Sequence, residues 1–270
     1  YDLKSAKRSL NLLFADWANR GLNRWTIEQV SLPLVTSIAD YPAGILTMTV
    51  AASGSFTVGE TITGGTSGAT ASITSVTSST VIAITIPSGT FVATETITGG
   101  TSSATTTVTA AVSFGNVRST IDILSAVVRQ NAGTANQSDI AISRISRDTF
   151  INIPSKNTTA RPSQFYIDRQ ITPILKLWST PDSTNYTLVF DRLVRIDDAD
   201  NPQNTLGVPF RFYPCLSAGL AYYISLKKAP ERVQLLKAVY EEEFERAAAE
   251  DRDRASLTLT PSRDYYTFIR

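Results

Sequence analysis

Three kinds of hydrophobic pattern succeed one another along the chain. In the first, Leu3, Ala6, Leu10, Leu13, Phe14 and Trp17 recur at three- and four-residue spacings, which predicts an amphipathic helix over residues 2–20. Asp2 is its candidate N-cap, Arg20 suits the negative last turn, and Gly21 can end it in the left-handed conformation. The next segment, RWTIEQVSLPL, alternates as a strand does. Its apolar parity shifts between Trp25/Ile27 and Val30/Leu32/Leu34, which predicts a bulge or short turn near Glu28–Gln29.

The second pattern fills residues 43–117, where Ser, Thr, Gly and β-branched residues dominate. GETITGGTSGATASIT, starting at Gly59, returns as TETITGGTSSATTTVT, starting at Thr94. At this offset Phe56 matches Phe91, Glu60 matches Glu95, Ile62 matches Ile97, and Gly64–Gly65 matches Gly99–Gly100. A Gly-Gly pair between alternating segments is a hairpin signal, and TVIAITI between the copies supplies a further strand. The pattern predicts a small all-β module of about six short strands. Two copies are too few for a solenoid, so a duplicated insert is the better reading.

In the third pattern, STIDILSAVVR, DIAISRISR, SQFYID, PILKLWS and NYTLVFDRLVRI read as strands separated by turn-rich segments, and SRDTFIN reads as one helical turn capped by Ser146. Two helices follow. The first lies in VPFRFYPCLSAGLAYYISLKK, where Ser217, Ala218, Gly219 and Ala221 would let a neighbour approach closely. The second begins at Pro230 and carries the stripe Val233, Leu236, Tyr240, Phe244, Ala247. The short KAP connection makes them antiparallel neighbours. The predicted fold class is therefore α+β: a helical hairpin or bundle plus an antiparallel β-sheet body, interrupted by a small all-β inserted domain. The body is drawn from residues 1–42 and 118–260, the insert from 43–117, and an extended C-terminal tail from 256–270.

Composition narrows the chemistry. The net charge of +1 makes no broad case for a nucleic-acid or membrane-surface binder. Histidine is absent, which removes the usual general base and the commonest metal ligand. The one cysteine, Cys215, lies in an apolar run and reads as a buried thiol. No stretch approaches the ~18 apolar residues of a membrane span. Between Tyr41 and Val117 the only charged residues are Glu60 and Glu95. They invite comparison with the paired carboxylates of glycoside hydrolysis. Duplicated positions predict equivalent environments, however, whereas an acid/base pair needs unequal ones, so acceptance of backbone hydrogen bonds in a tight turn is the better expectation. DDADN offers Asp198, Asp200 and Asn201 as Ca²⁺ ligands but lacks the glycine and distal glutamate of an EF-hand loop, and a solvated turn is the simpler reading. No phosphate-binding loop or dinucleotide fingerprint is present. No catalytic residue, cofactor or metal site is assigned, and the chain is not read as an enzyme.

Two further groups are candidate contact residues. Tyr222/Tyr223 lie in an apolar helix and read as core, whereas Tyr265, Tyr266 and Phe268 lie in the terminal tail and suit partner anchors. The run EEEFERAAAEDRDR reads as a solvated helix face with i,i+4 pairs Glu242/Arg246 and Glu250/Arg254, which in an oligomer become inter-subunit candidates.

The succession SLNLLFADWANRGLNRWTIEQVSL, DILSAVVR, RISRDTFINIPSKNTTARPSQFYIDRQ, LVFDRLVRIDDAD and VPFRFYPCLSAGLAYYISLKKAPERVQLLKAVYEEEFERA resembles the head-to-tail adaptor proteins of bacteriophages. More narrowly it is similar to the tail tubular protein A-like adaptors of short-tailed phages (podoviruses). The likeness runs over 1–42 and 118–260 and is one of pattern, with no single diagnostic motif; the β-module departs from it. It implies a structural virion protein of the tail or neck, assembled in the host cytoplasm as a ring of about twelve copies that close head to tail. The ring would join the portal protein to the tail nozzle protein, with tail fibres as a further neighbour, and would continue the channel for double-stranded DNA without sequence-specific binding. Carried onto this chain, portal contact falls to the tail, with Tyr265, Tyr266, Phe268 and Arg270 as anchors. The alternative expectation is a carbohydrate- or receptor-binding virion protein that uses the β-module.

Overall fold

The computed structural model describes residues 3–22, 24–196 and 207–252. It corrects the expected fold class. The described chain is mainly β: fourteen strands form two four-stranded sheets and a closed six-stranded barrel, with five helices of 4 to 18 residues. It is not a helical hairpin or bundle plus one antiparallel sheet. The long helices announce themselves within a dozen residues of sequence, whereas these strands are short and their partners are distant. Ile27 pairs with Leu193, and Leu46 with Ile84.

The chain divides into two compact units, Tyr1–Trp25 with Ile196–Arg270, and Thr26–Arg195. The first contains α1 (Leu3–Asn19), α4 (Tyr213–Lys228) and α5 (Val233–Glu250). Its core joins Leu13, Phe14 and Trp17 of α1 to Phe212, Cys215, Tyr240, Phe244 and Ala247. Gly219 of α4 is required there, because a Cβ at that position would lie 2.6 Å from Leu13 Cδ1 and 2.9 Å from Tyr240 Cε2. The Tyr240 hydroxyl donates to Asp16 Oδ2 at 2.6 Å, so the stripe read from sequence is anchored by a polar contact as well. The expected bulge or turn at Glu28–Gln29 is absent, since both residues pair in unbroken register with Arg192 and Asp191; the parity shift arises earlier. A 3-10 turn over Arg24–Thr26 precedes the strand and sends Trp25 into this helical core, where its ring lies 4.6 Å from that of Phe212.

The second unit holds all the strands among the described residues. One sheet has the order β1 (Ile27–Pro33), β14 (Tyr186–Val194), β9 (Thr120–Gln130), β10 (Ser138–Ala141). The other runs β11 (Ser143–Arg144), β12 (Gln164–Asp168), β13 (Ile174–Trp178), β2 (Asp40–Pro42). Their inner faces share one core: Val30, Leu32, Ile123, Val128 and Phe190 from the first meet Tyr41, Phe165, Ile167, Leu175 and Leu177 from the second. Tyr41 is fully buried, and its hydroxyl both donates to the Val35 carbonyl at 3.0 Å and accepts from the Val35 N–H at 2.8 Å. The short helix α3 (Arg147–Ile151) sits where one turn was expected, with Ser146 Oγ accepting from the Thr149 N–H at 3.1 Å.

The barrel order is β3 (Leu46–Val50), β6 (Val81–Ile84), β5 (Thr70–Ser78), β4 (Thr61–Gly64), β7 (Thr96–Gly99), β8 (Thr105–Ser113), and β8 closes onto β3. The helix α2 (Gly115–Arg118) leads out of it into β9. Strands β3-β4-β5 and β6-β7-β8 are the two copies of the repeat. In the β4–β7 pair Ile62 faces Gly99, Thr63 faces Thr98 and Gly64 faces Ile97, so equivalent residues exchange places about an axis at Thr63–Thr98. The β3–β6 pair obeys the same exchange: Leu46 faces Ile84 and Thr49 faces Val81. Within one copy only β4 and β5, or β7 and β8, pair with each other; β3 and β6 find both their neighbours in the opposite copy, so the two copies are interlocked. Two copies related by a pseudo-twofold satisfy every edge, and closure is what removes edges from a β-structure.

Candidate functional site

The two acidic residues of the barrel hold its halves together. Glu60 is 4 % exposed and belongs to the first copy, yet it accepts from the second: the N–H groups of Thr101 at 3.2 Å and Ser102 at 2.9 Å, and the Ser102 hydroxyl at 2.9 Å. The two N–H groups meet Oε2, while Oε1, which takes that hydroxyl, also accepts from the N–H of Thr57 at 2.6 Å. Glu95, also 4 % exposed, does the reciprocal thing with Thr66, Ser67 and Val92, at 3.2, 2.9 and 2.6 Å. Burial pushes both carboxyls up, but the N–H and O–H donors around them outweigh it, and both lie below the ordinary glutamate range. The glycines of the repeat make room for this. A Cβ at Gly64 would lie 2.7 Å from Glu95 Oε2, and one at Gly99 would lie 2.5 Å from Glu60 Oε2. Equal surroundings and ionised, saturated carboxylates leave neither residue to act as a general acid. The arrangement is a pair of reciprocal latches.

A second polar cluster sits where the chain enters and leaves the barrel. Arg192 of β14 is 3 % exposed; its guanidinium donates to the Asn116 carbonyl at 2.7 Å and to Thr120 Oγ1 at 3.0 Å, and it pairs with Glu28 Oε2 at 2.7 Å. Asn116 Oδ1 accepts from the Ile45 N–H at 2.8 Å, and the Thr120 hydroxyl donates to the Ala43 carbonyl at 2.5 Å. Arg192 thereby ties the strand entering the barrel to the segment leaving it. Gly44 lies against it, since a Cβ there would be 2.7 Å from the guanidinium. Nothing in VFDRLVRI marks this arginine beforehand, because its partners lie 72 to 164 residues away.

Between the barrel wall and the β13–β2 edge lies a cleft of about 680 Å³. Its lining includes Thr61, Ser72 and Thr85 of the barrel region and Phe150, Lys156 and Asn157. The Phe150 ring stacks on Tyr166 with centroids 5.5 Å apart, which fixes its orientation.

In the helical unit, Glu242 and Arg246 form the expected i,i+4 pair at 2.6 Å, and Glu243 joins them at 2.8 Å. All of this lies on the outer surface of α5, along with Leu235 at 69 % and Val239 at 44 % exposure. Glu250 ends α5, while Arg254, the tail anchors Tyr265, Tyr266, Phe268 and Arg270, and the Asp198/Asp200/Asn201 run lie outside the described residues. Tyr222 stacks on the buried Tyr240 at 5.8 Å, as a core aromatic does. Cys215 is buried, and burial pushes its thiol up to about 12. Among the described residues no three of His, Cys, Asp and Glu gather as a metal site requires. Among them, too, no helix is long and apolar enough to cross a membrane.

No protein-family model matches the chain, and no curated protein matches it.

Proposed function

We propose that this chain is a structural component of a phage particle, a ring-forming head-to-tail adaptor that joins the portal to the tail nozzle and continues the DNA channel. The resemblance in sequence pattern raises the reading, and one observation carries it: the outer face of α5. Leu235, Val239, Glu242 and Arg246 fall on one stripe of that helix, apolar in its first half and charged in its second. A large exposed apolar pair beside a charge cluster is a partner surface rather than a solvated one. The residues with the strongest chemical look in the sequence, Glu60 and Glu95, are engaged in holding the barrel, consistent with a scaffold. In this reading the tail residues Tyr265, Tyr266, Phe268 and Arg270 contact the portal.

The test is assembly. Light scattering and electron microscopy of the protein with its cognate portal should give a closed ring on the portal particle. A chain that remains monomeric with portal present contradicts the reading, and truncation after Leu259 should abolish portal docking while leaving the fold intact.

The cleft favours a second reading, a carbohydrate- or receptor-binding virion protein. A cleft lined by Ser and Thr residues and an aromatic ring suits a sugar, whose C–H face stacks while its hydroxyls bond. Titration with oligosaccharides, followed by amide NMR shifts at Thr61, Ser72 and Phe150, separates this reading from the first.

A further inference from the structure

The cleft between the barrel wall and the β13–β2 edge has three charged residues in its lining, Asp40, Lys156 and Lys176, and all three are already engaged. Lys176 Nζ sits 2.6 Å from Asp40 Oδ2, so those two charges cancel. Lys156 Nζ donates to the Ile151 carbonyl at 2.9 Å and to the Ile153 carbonyl at 3.2 Å, and it lies 5.9 Å from the centre of the Phe150 ring. The barrel adds no charge to the lining, because Glu60 and Glu95 are latched onto the loops of opposite copies.

An anionic ligand therefore finds no cation waiting for it. Its carboxylate would reach Lys176 only by displacing Asp40 or by lying beside it, where like charges repel. Lys156 would have to give up its bonds to two carbonyls. A cationic ligand meets the reverse problem at Asp40, which Lys176 already holds.

The uncharged groups of the cleft are in the opposite condition. The hydroxyls of Ser37, Thr70 and Ser88 and the side-chain amide of Asn157 make no hydrogen bond among the described residues. Thr70 and Ser88 are held to each other through their backbones, at 2.9 and 2.8 Å, and their hydroxyls stay unbonded. Each hydroxyl both donates and accepts, and the amide offers two donors and an acceptor. Such a set suits a ligand made of hydroxyls. It penalises an apolar ligand, under which the same groups lose water and gain no partner. Phe150, held against Tyr166, adds the apolar surface on which the C–H face of a sugar rests. The volume of about 680 Å³ lies within the ~300–1,000 Å³ of small-ligand sites.

We propose that the cleft takes a neutral oligosaccharide, held by uncharged hydroxyl and amide groups, and discriminates against uronic acids, sialic acids and unacetylated amino sugars. This ligand class rests on the carbohydrate reading of the cleft and narrows it.

Amide NMR titration of the full chain with two sets of probes tests it: neutral maltohexaose, cellohexaose, mannohexaose and xylohexaose, and acidic trigalacturonate and sialyllactose. The neutral set should contain a binder about tenfold or more tighter than either acid, with shifts at Thr70, Ser88 and Asn157. Its affinity should not change between about 0.05 and 0.5 M salt, since no ion pair with the ligand is there to be screened. Asn157→Ala and Thr70→Val should each weaken that binder by about threefold or more, while the thermal midpoint of the free protein stays where it was. Equal or tighter binding of an acid, or affinity that falls as salt rises, overturns the neutral class and leaves the carbohydrate reading standing. A neutral binder indifferent to both substitutions overturns the assignment to this cleft. Binding by none of the probes at about 10 mM overturns the carbohydrate reading and the ligand class with it.

Discussion

The barrel and the helical unit handle charge in opposite ways. The barrel has two acidic residues, and both are buried, fully bonded and directed at the other half of the same barrel. The helical unit keeps most of its charges at the surface, beside exposed leucine and valine. A closed barrel satisfies its own edges and needs no partner for stability. The helices complete a core and still leave two mixed faces outward. The difference teaches where to look for assembly: on the part whose surface is unfinished.

The sharpest way to break this comparison is to open a latch. Glu60→Ala leaves three backbone N–H groups and a hydroxyl without their acceptor, at a cost of about 3 kcal/mol. Glu95→Ala should cost the same within about 1 kcal/mol, because the pseudo-twofold gives it the same donors. Urea unfolding of the two variants checks both size and equality; strongly unequal losses would mean that the copies are not equivalent.

A smaller effect lies in the helical unit. Gly219→Ala forces a methyl against Leu13 and Tyr240 and should lower stability by about 1–3 kcal/mol, read as a shift in thermal midpoint. The latches add a pH signature. Their folded values are depressed, so the stability they contribute is present above the ordinary glutamate value near 4.5 and is lost as pH falls through the lower folded values. Stability measured from pH 6 down to pH 3 should fall, and Glu60→Gln with Glu95→Gln should flatten that slope. The smallest effect is expected at the open face. Glu242→Ala should change monomer stability by no more than about 0.5 kcal/mol, since its pair with Arg246 is exposed on both sides.

Much of this was legible from local pattern. The periodicity of Leu13, Phe14 and Trp17, the cap at Ser146 and the offset repeat all act within a few residues, and the structure places α1, α3 and the six barrel strands accordingly. Equivalence of Glu60 and Glu95 also followed from duplication alone. What escaped was set at a distance. The mainly β fold depends on pairings such as Ile27 with Leu193, which short alternating segments do not announce. The reach of each glutamate into the opposite copy was hidden because a repeat does not say whether its halves pair with themselves or with each other. Arg192 gave no signal, since an isolated arginine in a strand looks like any solvent-facing cation.

Removing the barrel tests the central claim most directly. Ala43 and Ile45 already bond to Thr120 and Asn116, so a short Gly-Ser linker can replace residues 46–113 while keeping Gly44, Asn116 and Arg192. Sedimentation velocity of that variant should show the same self-association as the full chain, reduced only by the missing mass. A variant that keeps its far-ultraviolet circular dichroism yet no longer associates, or one that fails to fold, would contradict the account and return assembly to the barrel.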